Sequence, residues 1–279
     1  MSNRQHQIPG MILPQPTTND GASPRGFSWA SLSQTLLDML FPPRCVSCEQ
    51  RGQPGGRLCL ACRRAVTRLA PPWCERCGQP GINGRSCASC AQQTPALSGI
   101  RAALLFEGPV RPAIHALKYK QARDLARPLA ELMLPSWRHL PQPPDAIVPV
   151  PLHPARERER GYNQSQLLAA VIGPAVGVPV DGSLLVRTRQ TTPQVTLQAQ
   201  ARRENVADAF GIRPEQANLA PGRRFVLIDD VCTTGSTLGA CAAALVAAGA
   251  QQVWAFTLAR ARWSSRTPAH ALLDDQPSP

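Results

Sequence analysis

The sequence contains few aromatic residues, few carboxylates and almost no lysine. Aromatic residues make up 5% of its 279 residues, and no apolar run is long enough to span a bilayer. Residues 1–28 also lack the apolar segment of a secretory signal peptide. We therefore expect a soluble, cytoplasmic protein with no membrane insertion and with reduced thiols.

The charge of the chain is one-sided. Thirty Lys and Arg residues face 18 Asp and Glu residues, which gives a net charge of +12. Lys118 and Lys120 are the only lysines, so arginine supplies nearly all of the positive charge. Because a guanidinium group matches the oxygens of phosphate, this composition favours polyanionic partners, either phosphorylated small molecules or nucleic acid. An arginine-rich surface that only reflects a GC-rich genome is the alternative.

Composition divides the chain into four parts. Residues 1–28 are rich in turn-forming residues and are predicted to be a disordered extension. Residues 29–93 hold a predicted helix at 31–40 followed by a cysteine-rich module. Residues 97–262 alternate strand and helix patterns, which indicates an α/β fold with a parallel sheet and flanking helices. Residues 263–279 are predicted to be a flexible tail.

Within the α/β part, the predicted strands lie at 99–108, 143–152, 182–188, 223–230 and 251–260. The predicted helices lie at 110–120, 124–137, 163–177 and 235–250, with a break expected near Gly173 and Pro174. A polar loop is predicted at 188–204.

Eight of the ten cysteines form four Cys-x-x-Cys pairs. Each pair can direct two thiolates at one metal ion, and two pairs complete a tetrahedral site. The module has too little apolar content to fold by burial alone, so we predict a double zinc ribbon with two structural zinc ions. We favour pairing between neighbouring motifs, with cross-braced pairing and a thiol redox role as alternatives. The predicted ligands are Cys45, Cys48, Cys59, Cys62, Cys74, Cys77, Cys87 and Cys90.

An apolar run leads directly into Asp229 and Asp230, and a Thr/Gly/Ser segment follows. Ligands of open α/β sheets bind at the carboxyl ends of strands. A helix N-terminus with glycine and hydroxyl groups suits a phosphate, whereas carboxylates suit sugar hydroxyls or Mg²⁺. The segment therefore predicts a site for a phosphorylated ribose. An ordinary helix N-cap is the alternative, although a cap needs only one such residue.

This segment resembles the signature of type I phosphoribosyltransferases, which bind phosphoribosyl pyrophosphate (PRPP). The resemblance implies that Asp229 and Asp230 are the catalytic pair and meet the ribose hydroxyls, with Mg²⁺ bound alongside PRPP. The loop from Thr233 to Thr237 would hold the 5′-phosphate, and Cys232 would pack rather than act as a nucleophile. The predicted PRPP-binding residues are Asp229, Asp230, Val231, Cys232, Thr233, Thr234, Gly235, Ser236 and Thr237.

A second polar stretch follows an earlier predicted strand. Arg156, Arg158 and Arg160 alternate with glutamates, which by itself is typical of a solvated charged turn. A PRPP enzyme needs donors for pyrophosphate after an earlier strand, so the resemblance makes these arginines the predicted pyrophosphate ligands. It also makes the loop 188–204 a flexible cover that excludes water from the site. Lys118 is expected to be a surface lysine, and a contact with a phosphate is the alternative.

Several motifs together, in this order, resemble the ComF/GntX family. They are the leading LLDMLFPPRC, the four Cys-x-x-Cys pairs, IHALKYK, VPVPL with RERGYNQS, and DDVCTTGST, and they cover about residues 32–262. The family implies a cytoplasmic phosphoribosyltransferase-like protein linked to natural transformation, through incoming single-stranded DNA, or to DNA utilisation.

Two functions are compatible with these motifs. The first is an enzyme that binds PRPP with Mg²⁺ and transfers ribosyl phosphate to an unknown acceptor. The second is a non-catalytic adaptor that senses PRPP or binds single-stranded DNA and docks a helicase or another DNA-processing partner. Intact aspartates favour PRPP binding in both cases.

Overall fold

A computed structural model describes residues 44–51, 56–81, 86–87, 90, 96–189 and 209–262. Four sequence predictions lie outside these residues, wholly or for the most part: the extension, the helix at 31–40, the tail and the polar loop 188–204. Across the described residues, no helix is both long and apolar enough to cross a bilayer.

Six strands are described. They are β1 (Gly99–Leu105), β2 (Ala146–Pro149), β3 (Leu185–Arg187), β4 (Phe210–Ile212), β5 (Arg224–Cys232) and β6 (Gln252–Arg260). Four of them form a parallel sheet in the order β1-β6-β5-β2, while β3 and β4 form an antiparallel pair. The predicted parallel sheet is thus confirmed. Its central strands are apolar on both faces, as expected when helices cover both.

The described residues include six α-helices, which flank or precede the sheet. They are α1 (Leu60–Arg64), α2 (Val110–Tyr119), α3 (Ala126–Met133), α4 (Pro154–Arg160), α5 (Gln164–Val176) and α6 (Ser236–Ala247). Helices α2, α3 and α5 share one apolar core with one face of the sheet, whereas α6 and the β3–β4 pair share a second core with the other face. The connection after β2 therefore leaves on one face and the connection after β5 on the other.

Two local predictions are wrong. Helix α5 runs through Pro174 without a break and ends at Gly177, which adopts the left-handed conformation. Pro174 lies in the last turn, where its missing N–H removes only one helical hydrogen bond. The arginine-rich turn contains a short helix, α4, which begins at a proline and is capped by His153 through a hydrogen bond from the amide of Ala155.

The cysteine module packs against the open edge of the sheet. The amide of Leu69 donates to the carbonyl of Ala103 at 3.0 Å, and the amide of Leu105 donates to the carbonyl of Thr67 at 2.9 Å. These bonds cover the edge of β1, which would otherwise present unpaired backbone groups. Apolar residues of the module, including Leu58 and Val66, also join the core formed with α2 and α3.

Candidate functional site

The two aspartates lie inside β5 rather than beyond its end. The pairing of β5 with β2 stops at Ile228, whereas its pairing with β6 continues to Cys232. Asp229 and Asp230 therefore occupy a stretch of β5 that has a neighbouring strand on one side only. Because side chains alternate along a strand, the two side chains leave β5 in different directions and meet different partners. The loops after β2 and β5 diverge at this point, which leaves a crevice at the carboxyl ends of the strands.

Asp230 points to the face that α2 covers. Nζ of Lys118 lies 2.8 Å from Oδ2 of Asp230, whose side chain is 4% exposed. Within the described chain, Oδ2 has no other polar partner. Burial alone would lower the pKa of Lys118, but the carboxylates of Asp230 and Asp229 outweigh it and raise this pKa. The expectation of a surface lysine is therefore wrong, since Lys118 is held in the site.

Asp229 is held by neutral donors. Its Oδ1 accepts hydrogen bonds from the hydroxyl of Ser165 and from the amide of Asp230, both at 2.9 Å. Ser165 is fully buried in the first turn of α5, which the side chain of Asn163 caps. Burial and the nearby carboxylate of Asp230 raise the pKa of Asp229 to about 7. The charge of this carboxylate thus responds to pH near neutrality.

Arg187 lies close enough to Asp229 and to Arg156 for the charges of both to act on it. Arg187 ends β3, and its guanidinium carbon lies 5.2 Å from the ring centroid of Phe210. Burial and the positive charge of Arg156 lower the pKa of Arg187, while Asp229 acts in the opposite direction. The two guanidinium groups are therefore near enough to repel each other beside a single carboxylate. Such an arrangement favours a bound anion.

The three predicted pyrophosphate arginines do not share one environment. Arg156 lies on the side of α4 nearest Arg187, whereas Arg158 is exposed. Arg160 donates to Oε1 of Gln164, and its guanidinium carbon lies 5.3 Å from the ring centroid of Tyr119. The structure thus places Arg156 near Arg187 and Arg160 beside α2.

The loop between β5 and α6 ends with a left-handed glycine. Gly235 has a φ of +82°, which glycine adopts without a steric penalty. Oγ1 of Thr234 accepts a hydrogen bond from the amide of Ser236 at 3.3 Å and lies 2.8 Å from the Ser236 hydroxyl. The first amides of an α-helix lack intrahelical carbonyl partners. Hydroxyls and helix amides therefore lie at the same sheet edge as the aspartates, a combination that suits phosphate.

Cys232 is packed, as the sequence analysis expected. It is 1% exposed, and its sulfur accepts a hydrogen bond from Nη1 of Arg260 at 2.9 Å. Burial raises the pKa of the Cys232 thiol, which is unfavourable for a nucleophile.

The eight paired cysteines form two groups of four, and neighbouring motifs pair. One group is Cys45, Cys48, Cys59 and Cys62, and the other is Cys74, Cys77, Cys87 and Cys90, with the sulfurs of each group within 4.8 Å of one another. A zinc ion with Zn–S bonds of about 2.3 Å requires sulfurs about 3.8 Å apart. The Cys48–Cys59 and Cys77–Cys87 sulfur separations of 3.7 and 3.8 Å meet this requirement. The sulfurs of Cys45 and Cys74 also accept backbone amide hydrogen bonds, as zinc-bound thiolates do.

Four residues of this region were not assigned to it from the sequence: Lys118, Ser165, Arg187 and Arg260. Two of them carried a usable signal. Lys118 is one of only two lysines in an arginine-rich chain. Arg260 is the last residue of a buried apolar strand, and Asp229 and Asp230 lie near the end of another. Nothing local in the sequence distinguishes Ser165, because its role depends on the position of α5 against β5.

Comparison with known proteins identifies both parts of the chain. The double zinc ribbon domain family matches residues 36–91, and the phosphoribosyl transferase domain family matches residues 157–272. DNA utilization protein YhgH of Escherichia coli (strain K12) is 35% identical over 210 residues, which cover 73% of this chain and 90% of that protein. Competence protein F of Haemophilus influenzae is 31% identical over 230 residues, which cover 79% of this chain and 98% of that protein.

Among solved structures, adenine phosphoribosyl transferase from Trypanosoma brucei aligns with a TM-score of 0.34 and 15% identity, over 57% of this chain and 70% of that chain. The assignment rests on the sequence relatives and the two domain families. The chain belongs to the ComF/GntX family and combines a double zinc ribbon with a type I phosphoribosyltransferase-like domain.

Proposed function

We propose that this protein binds PRPP with Mg²⁺ at the carboxyl end of β5 and transfers ribosyl phosphate to an acceptor in a pathway of DNA uptake or DNA utilisation. One observation carries the proposal. Asp229 and Asp230 lie at the same sheet edge as the hydroxyl-rich start of α6, so groups for a polyol and for a phosphate are adjacent. The names of the relatives support the connection with DNA.

Each part of PRPP has a partner of suitable chemistry. The loop from Thr233 to Thr237 would hold the 5′-phosphate through helix amides and hydroxyls. The carboxylates of Asp229 and Asp230 would accept the ribose hydroxyls. Arg156 and Arg187 would meet the pyrophosphate, because the two positive charges already lie close together beside Asp229.

The donor set also fits Mg²⁺, which prefers oxygen ligands and retains water. Asp229 and Asp230 would hold the ion, directly or through water, and it would neutralise charge on the departing pyrophosphate. Departure leaves positive character on the anomeric carbon, which the ionised carboxylates stabilise. Lys118 holds the buried charge of Asp230 in place until the ligand arrives. The loop 188–204 remains the proposed cover that excludes water.

Calorimetry with Mg²⁺ and PRPP tests the binding step. Wild type should bind PRPP only when Mg²⁺ is present, and the double variant Asp229→Asn/Asp230→Asn should lose this binding. Asp124→Asn is the matched control, because Asp124 forms an exposed ion pair with Arg57 on another surface. An absence of binding by folded, zinc-loaded wild type would overturn the proposal. Release of pyrophosphate with an acceptor would then establish turnover.

A second candidate is an adaptor that senses PRPP or binds single-stranded DNA without catalysis. Tyr119 follows Lys118 and is 63% exposed, with Arg160 stacked over its ring. An exposed aromatic ring beside cations is the usual platform for stacking unpaired bases. Such a protein would bind a labelled oligonucleotide in a Tyr119-dependent manner and would release no pyrophosphate. A helicase or another DNA-processing protein would be its partner.

The zinc ribbon fits a cytoplasmic location, because its ligands must remain reduced. We also propose that the domain boundaries follow composition, with a disordered extension at 1–28, the ribbon module at 29–93, the phosphoribosyltransferase-like domain at 97–262 and a flexible tail at 263–279. Limited proteolysis of the intact protein would test these boundaries. Cuts confined to 1–28, 188–204 and 263–279 are expected.

A further inference from the structure

We infer that the second cysteine cluster (Cys74, Cys77, Cys87 and Cys90) positions the loop from Cys232 to Thr237, so that zinc at this cluster supports phosphate binding. The identity of the ligand rests on the proposed function. The connection between the cluster and the loop rests on contacts of the described residues. Arg260 is the positioning residue that joins the two sites.

Arg260 contacts both sites with one guanidinium group. Its Nη1 donates to the sulfur of Cys232, at the start of the loop, at 2.9 Å. Its Nε donates to Oε1 of Gln79 at 3.1 Å, and Gln79 lies two residues after the zinc ligand Cys77. The residue is 3% exposed, so the guanidinium has no alternative partner in bulk water. A displacement of Gln79 would therefore shift the guanidinium group that donates to Cys232.

Ile100 forms a second connection between the same two sites. Its amide donates to the carbonyl of Arg76 at 2.6 Å, inside the Cys74–Cys77 knuckle. A Cβ atom at Gly78 would lie 2.6 Å from the carbonyl oxygen of Ile100, so the knuckle approaches β1 as closely as glycine permits. At the other end, Cδ1 of Ile100 lies 3.0 Å from the position of a Cβ atom on Gly235. Movement of the knuckle would thus reach Gly235 through one side chain.

Charge gives a reason for this arrangement. A zinc ion with four thiolates carries a net charge of about −2. Two buried arginines from the sheet face this cluster, Arg101 from β1 and Arg260 from β6. Nη1 of Arg101 donates to the carbonyl of Glu75 at 2.8 Å, and its guanidinium carbon lies 4.9 Å from the ring centroid of Trp254. The described residues form no ion pair with either arginine, and Glu75 is the one carboxylate whose charge acts on Arg101, so the loaded cluster supplies much of the counter-charge.

The first cluster is attached differently. Its surroundings contact α3 and the turn before it through partly exposed ion pairs, Arg57 with Asp124 and Arg63 with Glu131. Neither of these ion pairs involves the loop after β5. It is therefore the internal control for the inference.

Hydrogen–deuterium exchange of the intact, zinc-loaded protein without PRPP tests the connection directly. Gln79→Ala removes the acceptor of Arg260, and the amides of residues 232–238 should then exchange about fivefold faster, as expected for the loss of one net hydrogen bond. Gln79→Glu keeps an acceptor oxygen and should retain protection. Arg63→Ala, which alters the attachment of the first cluster, should leave this segment unchanged. Zinc content is measured for every variant.

PRPP calorimetry on the same variants adds the functional consequence. We expect weaker PRPP binding in Gln79→Ala and unchanged binding in Gln79→Glu and Arg63→Ala. Unchanged exchange of residues 232–238 in Gln79→Ala, with zinc content at the wild-type value, would overturn the inference. If Gln79→Ala fails to fold, Gln79→Leu, which keeps most of the side-chain volume but offers no acceptor, serves in its place. Failure of wild type to bind PRPP would refute the proposed function alone, because the exchange experiment requires no ligand.

Discussion

Nζ of Lys118 lies 2.8 Å from Oδ2 of Asp230, and this pair joins the end of α2 to the end of the signature strand. The two residues are far apart in sequence, and the carboxylate is almost completely buried. A buried carboxylate without a partner is costly, so the lysine is required while the site holds no ligand. The pair therefore connects the packing of α2 with the chemistry of the site.

Substitution of Lys118 by Met should destabilise the protein by about 3 kcal/mol, because Asp230 would be left buried without its partner. Lys120→Met is the matched control, since Lys120 is exposed, and its effect should stay within about 0.5 kcal/mol. Urea unfolding followed by circular dichroism measures both values. Equal stability of the two variants would show that Asp230 does not depend on Lys118.

The raised pKa of Asp229 predicts a specific pH dependence of stability. The folded protein holds the Asp229 proton up to a pKa of about 7, against 3.8 for an ordinary aspartate. The resulting stabilisation is complete below pH 3.8 and is lost as the pH rises to about 7. Asp229→Asn imitates the protonated acid, so its stability relative to wild type should increase by about 2–3 kcal/mol between pH 5 and pH 8.

Asp145→Asn is the control, because the pKa of Asp145 is shifted in the opposite direction to that of Asp229. Hydrogen bonds from Arg224 lower the pKa of Asp145 to about 2, so this carboxylate is ionised at both pH values. The stability difference between Asp145→Asn and wild type should therefore not change between pH 5 and pH 8. Unfolding curves of all three proteins at the two pH values measure these differences. The same pH dependence of stability in both variants would contradict the raised pKa of Asp229.

Gly235→Ala should weaken phosphate binding and cost about 1–2 kcal/mol of stability, the penalty for a non-glycine residue in the left-handed region. Gly239 offers a control one turn later in α6, where an added Cβ atom meets no atom within 4 Å. Gly239→Ala should stabilise the protein by about 0.5–1 kcal/mol, because it improves helix propensity. Thermal unfolding and PRPP titration of both variants test this contrast.

Arg187→Met should weaken binding of inorganic pyrophosphate at least tenfold, the loss expected for one hydrogen bond to a charged group. Arg187 lies beside Asp229 and Arg156, whereas Arg158 is exposed on α4. Arg158→Met should therefore have little effect. Similar affinities of the two variants in competition with PRPP would place the pyrophosphate elsewhere.

The two clusters should bind two zinc ions per chain. Cys48→Ser and Cys77→Ser each remove one ligand from a different cluster, and each variant should lose the zinc of that cluster only. Elemental analysis of the purified proteins measures zinc content, and thermal unfolding with and without a chelator measures its contribution to stability. Full zinc content in either variant would contradict the assigned ligands.

The local sequence determined much of this protein. Four Cys-x-x-Cys pairs specify metal ligands by their spacing, and apolar runs of strand length specify a buried parallel sheet. An apolar run that meets two aspartates and a Thr/Gly/Ser segment specifies a site at the end of β5. Each of these signals is carried by residues close together in the chain, so no tertiary information is needed to interpret them.

Only the tertiary structure decided which distant residues complete the site. The approach of Lys118 to Asp230, of Ser165 to Asp229 and of Arg260 to Cys232 follows from the packing of helices and strands that are remote in sequence. It also decided that β5 continues past the end of β2, so that both aspartates have a neighbouring strand on one side only. Spacing in the sequence reveals ligands within one turn or knuckle, whereas long-range ion pairs exist only after the sheet has formed.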